Sequence, residues 1–547
     1  MPDSTGCCWK NNQAEKTVRQ LSTCLIILLL LCCTRQAAAE PVRPVHGGRL
    51  VVALNNIPAH FNPAVHSGLL TGLVGSQIFA GLIRCDRQGQ PHPHLAKSWE
   101  YSEDGLVLTL HLREDAVFHD GAPVSAQDVV FSIQTVQRFH PFTPMLEAID
   151  TVEAPDDHTV IVRLRHRHPA LLKIFTATLT PILPAHIYGD GQNIRTHPAN
   201  WNAVGSGPFR LTAYQPGRRI VLQRFNDYFL GGRPFLDTVE FEIFPGPDEI
   251  LIAMEAGEVQ LSGFSPLVDH HEQAAKTEHL VVSTEGLDGI GAMLWIGFNL
   301  KKAPLHDRRV RQAIALAIDR EFIAQYILRG SSMAMDGPLV PNNPFYAPPD
   351  TPSRLDLAEA NRLLDEAGYR RDTTGKRMTL EMDYPPNAAN LALPLIKYLR
   401  HSLSRTVGID LSIRKNRDDT EWSNHVSSGN FQSTIDIVFT WGDPLIGVHR
   451  TYHSANIRPG VLWSNTQAYS NPEVDQLLDL AGQEVDFIRR KELYARFQRI
   501  VRYDQPMVWL GTMPYATIHD RRLRGVGDSY WGLLGPMDEV FWAKETQ

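Results

Sequence analysis

Past residue 33 the sequence holds a single cysteine, Cys85, because Cys7, Cys8, Cys24, Cys32 and Cys33 all fall within the first 33 positions. A chain that loses that region can form no intramolecular disulfide, so its fold must stand on its core. The same shortage excludes a cysteine-rich zinc site. Cys85 itself reads as a small buried apolar residue. The apolar run at 24–33 (CLIILLLLCC) is too short to span a bilayer as a stable helix. Positive charge is not in excess either. Lys and Arg number 53 against 60 Asp and Glu, for a net charge of -7. Nothing there points to nucleic acid or an anionic membrane surface as partner. Internal repeats and low-complexity tracts are absent. So are GxSxG, HExxH, a P-loop, and GxGxxG after a strand. That favours capture of a solute over turnover. Catalytic groups can still converge from distant positions, so an extracytoplasmic hydrolase stands as the rival reading.

What is present is ordinary for a globular α/β protein. The 547 residues suffice for two or three domains, with 43% hydrophobic and 21% charged positions. The N-terminus reads as an export signal over 1–39. Lys10, Lys16 and Arg19 supply basic charge, 24–33 an apolar core, and Ala37, Ala38 and Ala39 a small-residue cleavage site before Glu40.

The most informative stretch is 95–132, LAKSWEYSEDGLVLTLHLREDAVFHDGAPVSAQDVVFS. Leu106, Leu108, Leu110 and Leu112 alternate with Val107, Thr109, His111 and Arg113, the period of a half-buried strand. Asp104-Gly105 and Asp120-Gly121 are turn signals. Ser125 suits a helix N-cap, with Asp128 three residues on and Val129, Ile133 and Val136 on one face. Elsewhere, strands are expected at 48–56, 159–164, 239–244 and 434–440. A helix followed by a short strand is expected over 69–85, and helices at 250–257, 308–320 (capped by Asp307), 356–367, 470–481 and 489–501.

As a string, 95–132 resembles the signature of the peptide- and nickel-binding family of extracytoplasmic solute-binding proteins, the capture subunits of ABC importers. Gly205 to Phe209 (GSGPF), the run Asn226-Asp227-Tyr228 to Leu236-Asp237, and Leu294 to Leu300 (LWIGFNL) extend the resemblance over nearly the whole chain past the leader. It implies an α/β fold of the periplasmic binding protein type II-like kind, with two lobes and an extra third region (cluster C). The main lobe would be discontinuous, 40–70, 203–293 and 508–547. Residues 71–202 would form an inserted second region and 294–507 the second lobe. The implied function is capture of a di- or oligopeptide or related small solute by hinge closure, then delivery to an ABC permease complex in the inner membrane. The family also carries nickel chelates, oligosaccharides, opine-like compounds and haem. The chain would act as a periplasmic monomer, without nucleic acid and without catalysis.

Asp443 is the first candidate for ligand binding. It follows the buried strand 434–440, and α/β sheets place ligands beyond the carboxyl ends of their strands. Peptide-binding members use an aspartate in a W-x-x-D-type loop here to hold the ligand's α-amino group. TWGDPLIG is shorter than many such loops and has one aspartate, so an Asp-Pro turn is the alternative. Trp441 offers a flat face to a ligand or a cation. A ligand carboxylate would need a cation. Arg414, Arg417 and Arg450 lie in the right region, and Arg450 is carried forward. Asn299, at the end of the crossing segment, is a candidate hydrogen-bond donor, and Trp531 in SYWGLLG a candidate cleft wall. The pairs His92/His94, His166/His168 and His270/His271 lie far apart with no acidic or cysteine partner at metal spacing. No metal ligand and no cofactor are therefore expected.

Overall fold

The computed structural model describes residues 43–544 except 288, 352 and 353. The expected export signal at 1–39 lies outside the described residues. Packing divides the chain into Met1–Val45 and His46–Gln547. Every element below belongs to the second unit.

Three larger sheets organise this unit among the described residues. A seven-stranded sheet runs in the order Leu280–Ser283, Ala516–Asp520, Leu261–Ser265, Arg49–Leu54, Thr238–Ile243, Arg219–Arg224, Phe209–Gln215. Its central strand Arg49–Leu54 is parallel to both neighbours and almost wholly buried, as a strand covered on two faces should be. A five-stranded sheet runs Ile409–Ile413, Met378–Asp383, Ser433–Phe439, Ala292–Phe298, Met507–Thr512. The third sheet is a four-stranded antiparallel one, Ala96–Tyr101, Val107–Leu112, Thr159–Leu164, Ile149–Asp156. Leu108, Leu110 and Leu112 face its core and alternate with half-exposed residues, which is the period read from the sequence.

The residues that make 95–132 recognisable tie distant segments together. His119 N donates to Gly205 O (2.8 Å), Gly205 N to His119 Nδ1 (3.3 Å), and His119 Nε2 to Gly207 O (3.0 Å). Gly207 N donates to Ile78 O (2.8 Å). A Cβ on Gly205 would lie 2.1 Å from that same carbonyl oxygen, so only glycine fits the approach. Ser125 caps the helix Ala126–Phe139, and the Asp128 carboxylate accepts from Ser125 N (2.9 Å) and Ala185 N (2.8 Å). Ser132 Oγ accepts from Leu183 N (2.8 Å), and His186 Nε2 donates to Asp120 (2.7 Å). The segment 181–186 is thus pinned to the helix by the very residues that form the signature.

One helix differs from expectation. The run 308–320 ends at Leu316, and Asp319 caps a new short turn at Arg320–Phe322. The cause is Arg320. Its guanidinium turns inward to donate to Ala315 O (3.0 Å) and Trp509 O (2.9 Å), which a continuous helix with a solvated arginine would not allow.

Candidate functional site

The strand Ser433–Phe439 delivers its carboxyl end to a tight loop. Trp441 (φ 51°) and Gly442 (φ 63°) are consecutive left-handed residues that reverse the chain. A tryptophan in that conformation costs on the order of 1–3 kcal/mol, which the surroundings must over-determine. They do so by packing. The Trp441 ring meets Phe142 (5.6 Å between centroids), Phe439 (5.9 Å) and Trp531 (5.8 Å). Phe142 comes from the segment that ends the helix Ala126–Phe139, Trp441 from the five-stranded sheet, and Trp531 from the C-terminal segment. Three parts of the chain that are remote in sequence converge on one buried seam.

Arg450 lies over the Phe142 ring, with its guanidinium carbon 4.0 Å from the ring centroid. It donates to the carbonyls of Trp463 and Phe439. Burial lowers its pKa to about 9 against the opposing pull of Asp436. Arg458 reaches across the seam, donating to Thr143 Oγ1 (2.8 Å) and Pro141 O (3.2 Å). His140 stands beside Phe142 and accepts from Phe142 N at Nδ1 (3.0 Å), which places its proton on Nε2. Burial brings its pKa down to about 3, with His66 and Arg450 adding to the effect, so the ring is neutral.

Asp436, inside the buried strand, accepts from Trp463 Nε1 (2.8 Å) and Ile437 N (2.7 Å). Burial raises its pKa to about 7, with the Trp463 hydrogen bond opposing. Since its unfolded value is near 3.8, the native chain holds one more proton between those values. Its contribution to stability therefore falls as pH rises from about 4 to about 7. Asp436→Asn, which cannot ionise, is expected to gain stability relative to the parent over that window. Urea midpoints of both proteins at pH 5 and pH 8 measure the difference, and a difference independent of pH contradicts the assignment.

Asp443 takes a different role from the one expected of an open ammonium site. Both its oxygens accept from Arg490, Nη2 to Oδ1 at 2.7 Å and Nη1 to Oδ2 at 2.8 Å, with both side chains buried. It also caps the turn Pro444–Gly447 by accepting from Leu445 N (3.1 Å). Burial alone would raise this carboxyl, but Arg490 outweighs it and holds it well below the usual carboxylate range. The charge is neutralised within the chain.

The structure therefore brings Trp441, Trp531 and Arg450 together at the seam, with Asp443 behind them engaged by Arg490. Asn299 is elsewhere. It follows Phe298, at the opposite end of the strand Ala292–Phe298 from Ala292, which pairs with Phe439 beside the loop. Its amide donates to Gly429 O and Phe431 O (both 3.0 Å), and its oxygen accepts from Lys301 N (3.1 Å). Arg414 pairs with Glu381 (3.3 Å), and Arg417 is an exposed partner of Asp418. Among the described residues no group of three or more His, Cys, Asp or Glu is placed to hold a metal ion. Sequence reasoning missed Phe142, His140 and Asp436. Asp436 was detectable, being a carboxylate inside the apolar run TIDIVF. A separate crevice of about 30 Å³ lies at the ends of Arg49–Leu54 and Leu261–Ser265, walled by Leu73, Ile250 and Met254.

The chain as a whole is similar to known proteins. The family model described as "Bacterial extracellular solute-binding proteins, family 5 Middle" matches residues 90–467. The oligopeptide-binding protein AppA of Bacillus subtilis is 26% identical over 492 residues, covering 86% of this chain and 87% of AppA. The glutathione-binding protein GsiB of Pectobacterium atrosepticum is 26% identical over 515 residues, 89% of this chain and 93% of GsiB. Among solved structures, the periplasmic binding protein DppA of Helicobacter pylori, in complex with the peptide STSA, superposes with a TM-score of 0.81. It shares 24% identity and covers 91% of this chain and 99% of its own.

Proposed function

The chain belongs to family 5 of the bacterial extracellular solute-binding proteins, and on that premise we propose that it captures a di- or oligopeptide or a related small solute for an ABC permease. The family is one of binding proteins of ABC importers, not of enzymes. Among the described residues no helix is long and apolar enough to cross a membrane. The mechanism is hinge closure. The inserted region and the five-stranded lobe swing apart to admit the solute, and contacts to both sides stabilise the shut form. The chain acts as a monomer at the outer face of the inner membrane and releases the solute chemically unchanged to the permease.

The observation that supports this reading is the meeting of Phe142, Trp441, Arg450 and Trp531 from three separate segments. Contacts of that kind are broken by opening and remade by closing. Asp443 is engaged by Arg490 and Asn299 holds backbone at the far end of its strand, so neither touches the solute. A thermal-shift screen of the chain without its first 39 residues, against peptides, sugars and metal chelates, tests the proposal. A solute at about 100 times its dissociation constant adds about 2.7 kcal/mol and raises the melting point by several degrees. A peptide response is expected. A response to sugars or chelates alone would contradict the peptide assignment, and release of a chemically altered product would contradict capture.

A further inference from the structure

We infer that the solute at this seam is recognised through an anionic oxygen group and that it needs no free ammonium. This rests on the capture reading above and narrows its substrate class.

The first observation is the sign of the unpartnered groups. Trp441 Nε1, Trp531 Nε1, Arg450 Nε and His140 Nε2 are buried and have no hydrogen-bond partner among the described residues. The residues that carry them are each at most 2% exposed. Indole and guanidinium N–H groups only donate, and His140 donates from Nε2 because its Nδ1 accepts from Phe142 N. Four donors on residues that pack together at this seam thus want acceptors. Arg458 Nε, at the same seam, is a fifth in the same state.

The second observation is the state of the carboxylates. Asp443 is held at both oxygens by Arg490. Asp436 is turned to Trp463 and Ile437. The guanidiniums of Arg450 and Arg458 spend their other N–H groups on neutral oxygens, namely two carbonyls for the first and a threonine hydroxyl and a carbonyl for the second. Lys173 adds a cation, stacked on Tyr530 at 5.1 Å. His168 Nδ1 is an unpartnered acceptor beside the Asp443–Arg490 pair, but a neutral imidazole nitrogen takes one N–H and offers no charge to an ammonium.

Donors that are buried and unmet penalise closure. A ligand oxygen that accepts from them removes the penalty, and a negative one does so with charge assistance. An ammonium would bring further donors to a site already rich in donors and cations. The aromatic walls of Phe142, Trp441 and Trp531 then take the apolar part of the solute.

The test deletes one charge at a time. Melting-point titrations use a casein hydrolysate, the same hydrolysate N-acetylated, and the same hydrolysate methyl-esterified. Citrate and trimethyl citrate form a matched non-peptide pair. The expected result is that acetylation leaves the half-maximal concentration unchanged, while esterification raises it at least about tenfold. Equal response to acid and ester, or loss of response on acetylation, would overturn the inference while leaving capture intact. So would a response confined to uncharged sugars. Silence towards every acid, ester, sugar and chelate would overturn capture itself, and this inference with it.

Discussion

Arg490→Met is expected to destabilise the protein by about 3–5 kcal/mol, because it strands the Asp443 carboxylate in a buried site. Asp443→Leu should cost a similar amount by stranding the guanidinium. Removing both, as Asp443→Leu with Arg490→Met, should recover much of the loss, since an apolar pair owes no desolvation. Denaturant midpoints of the four proteins close the cycle. The pH dependence has a definite sign. Asp443 is held below its unfolded value, so its stabilisation is present above that value and is lost only as pH falls beneath the usual carboxylate range. The same cycle discriminates roles. A carboxylate that held a ligand's ammonium would lose affinity for free-amine solutes and spare acetylated ones. A structural pair loses stability and treats both alike, which is the outcome expected here.

Phe142→Ala should weaken solute binding by about a hundredfold or more. The estimate converts the 3–5 kcal/mol typical of a buried phenylalanine truncation at about 1.4 kcal/mol per decade. Phe142 is buried against Trp441 and Arg450, which the proposed division of the chain assigns to the other side of the closure. If the lobes part in the free protein, those contacts exist only when they shut. The lost energy then falls on closure, and so on affinity, more than on the folding of either lobe. Isothermal titration with the solute found by the melting screen measures the first effect, and the melting point without solute measures the second. A large drop in melting point with affinity intact would mean that the seam is a permanent part of the core.

Much of the fold was legible because its signals are local. Alternating leucines at 106–112, the Ser125–Asp128 cap and the Asp307 cap each concern residues a few positions apart, and each is found as read. The ends of helices were less legible. The helix begun at Arg308 stops early as Arg320 turns inward to Ala315 O and to Trp509 O in a remote strand, and no local pattern carries the second contact. The seam at Phe142 was legible only in part. Trp441 and Arg450 were reachable from their position after a buried strand, as ligands of α/β sheets gather there. The partner of Asp443 lies 47 residues on, and the ring beneath Arg450 is that of Phe142, from a segment far earlier in the chain. Whether a carboxylate is open or already paired depends on such contacts, and the spacing TWGDPL is silent on it. Asn299 was drawn in by its place after a strand. That strand is antiparallel to its neighbour, so its end points away from the loop that bears Trp441.

The inserted region and the five-stranded lobe are expected to approach each other when solute binds. Fluorescent labels on cysteines placed at Glu114 and Arg417, both exposed, report the distance between them. Cys85 will not compete, because burial pushes its thiol up to about 12. Energy transfer should rise on adding the solute that raises the melting point and fall again on dialysis, with the solute recovered intact. Unchanged transfer at saturating solute would contradict closure.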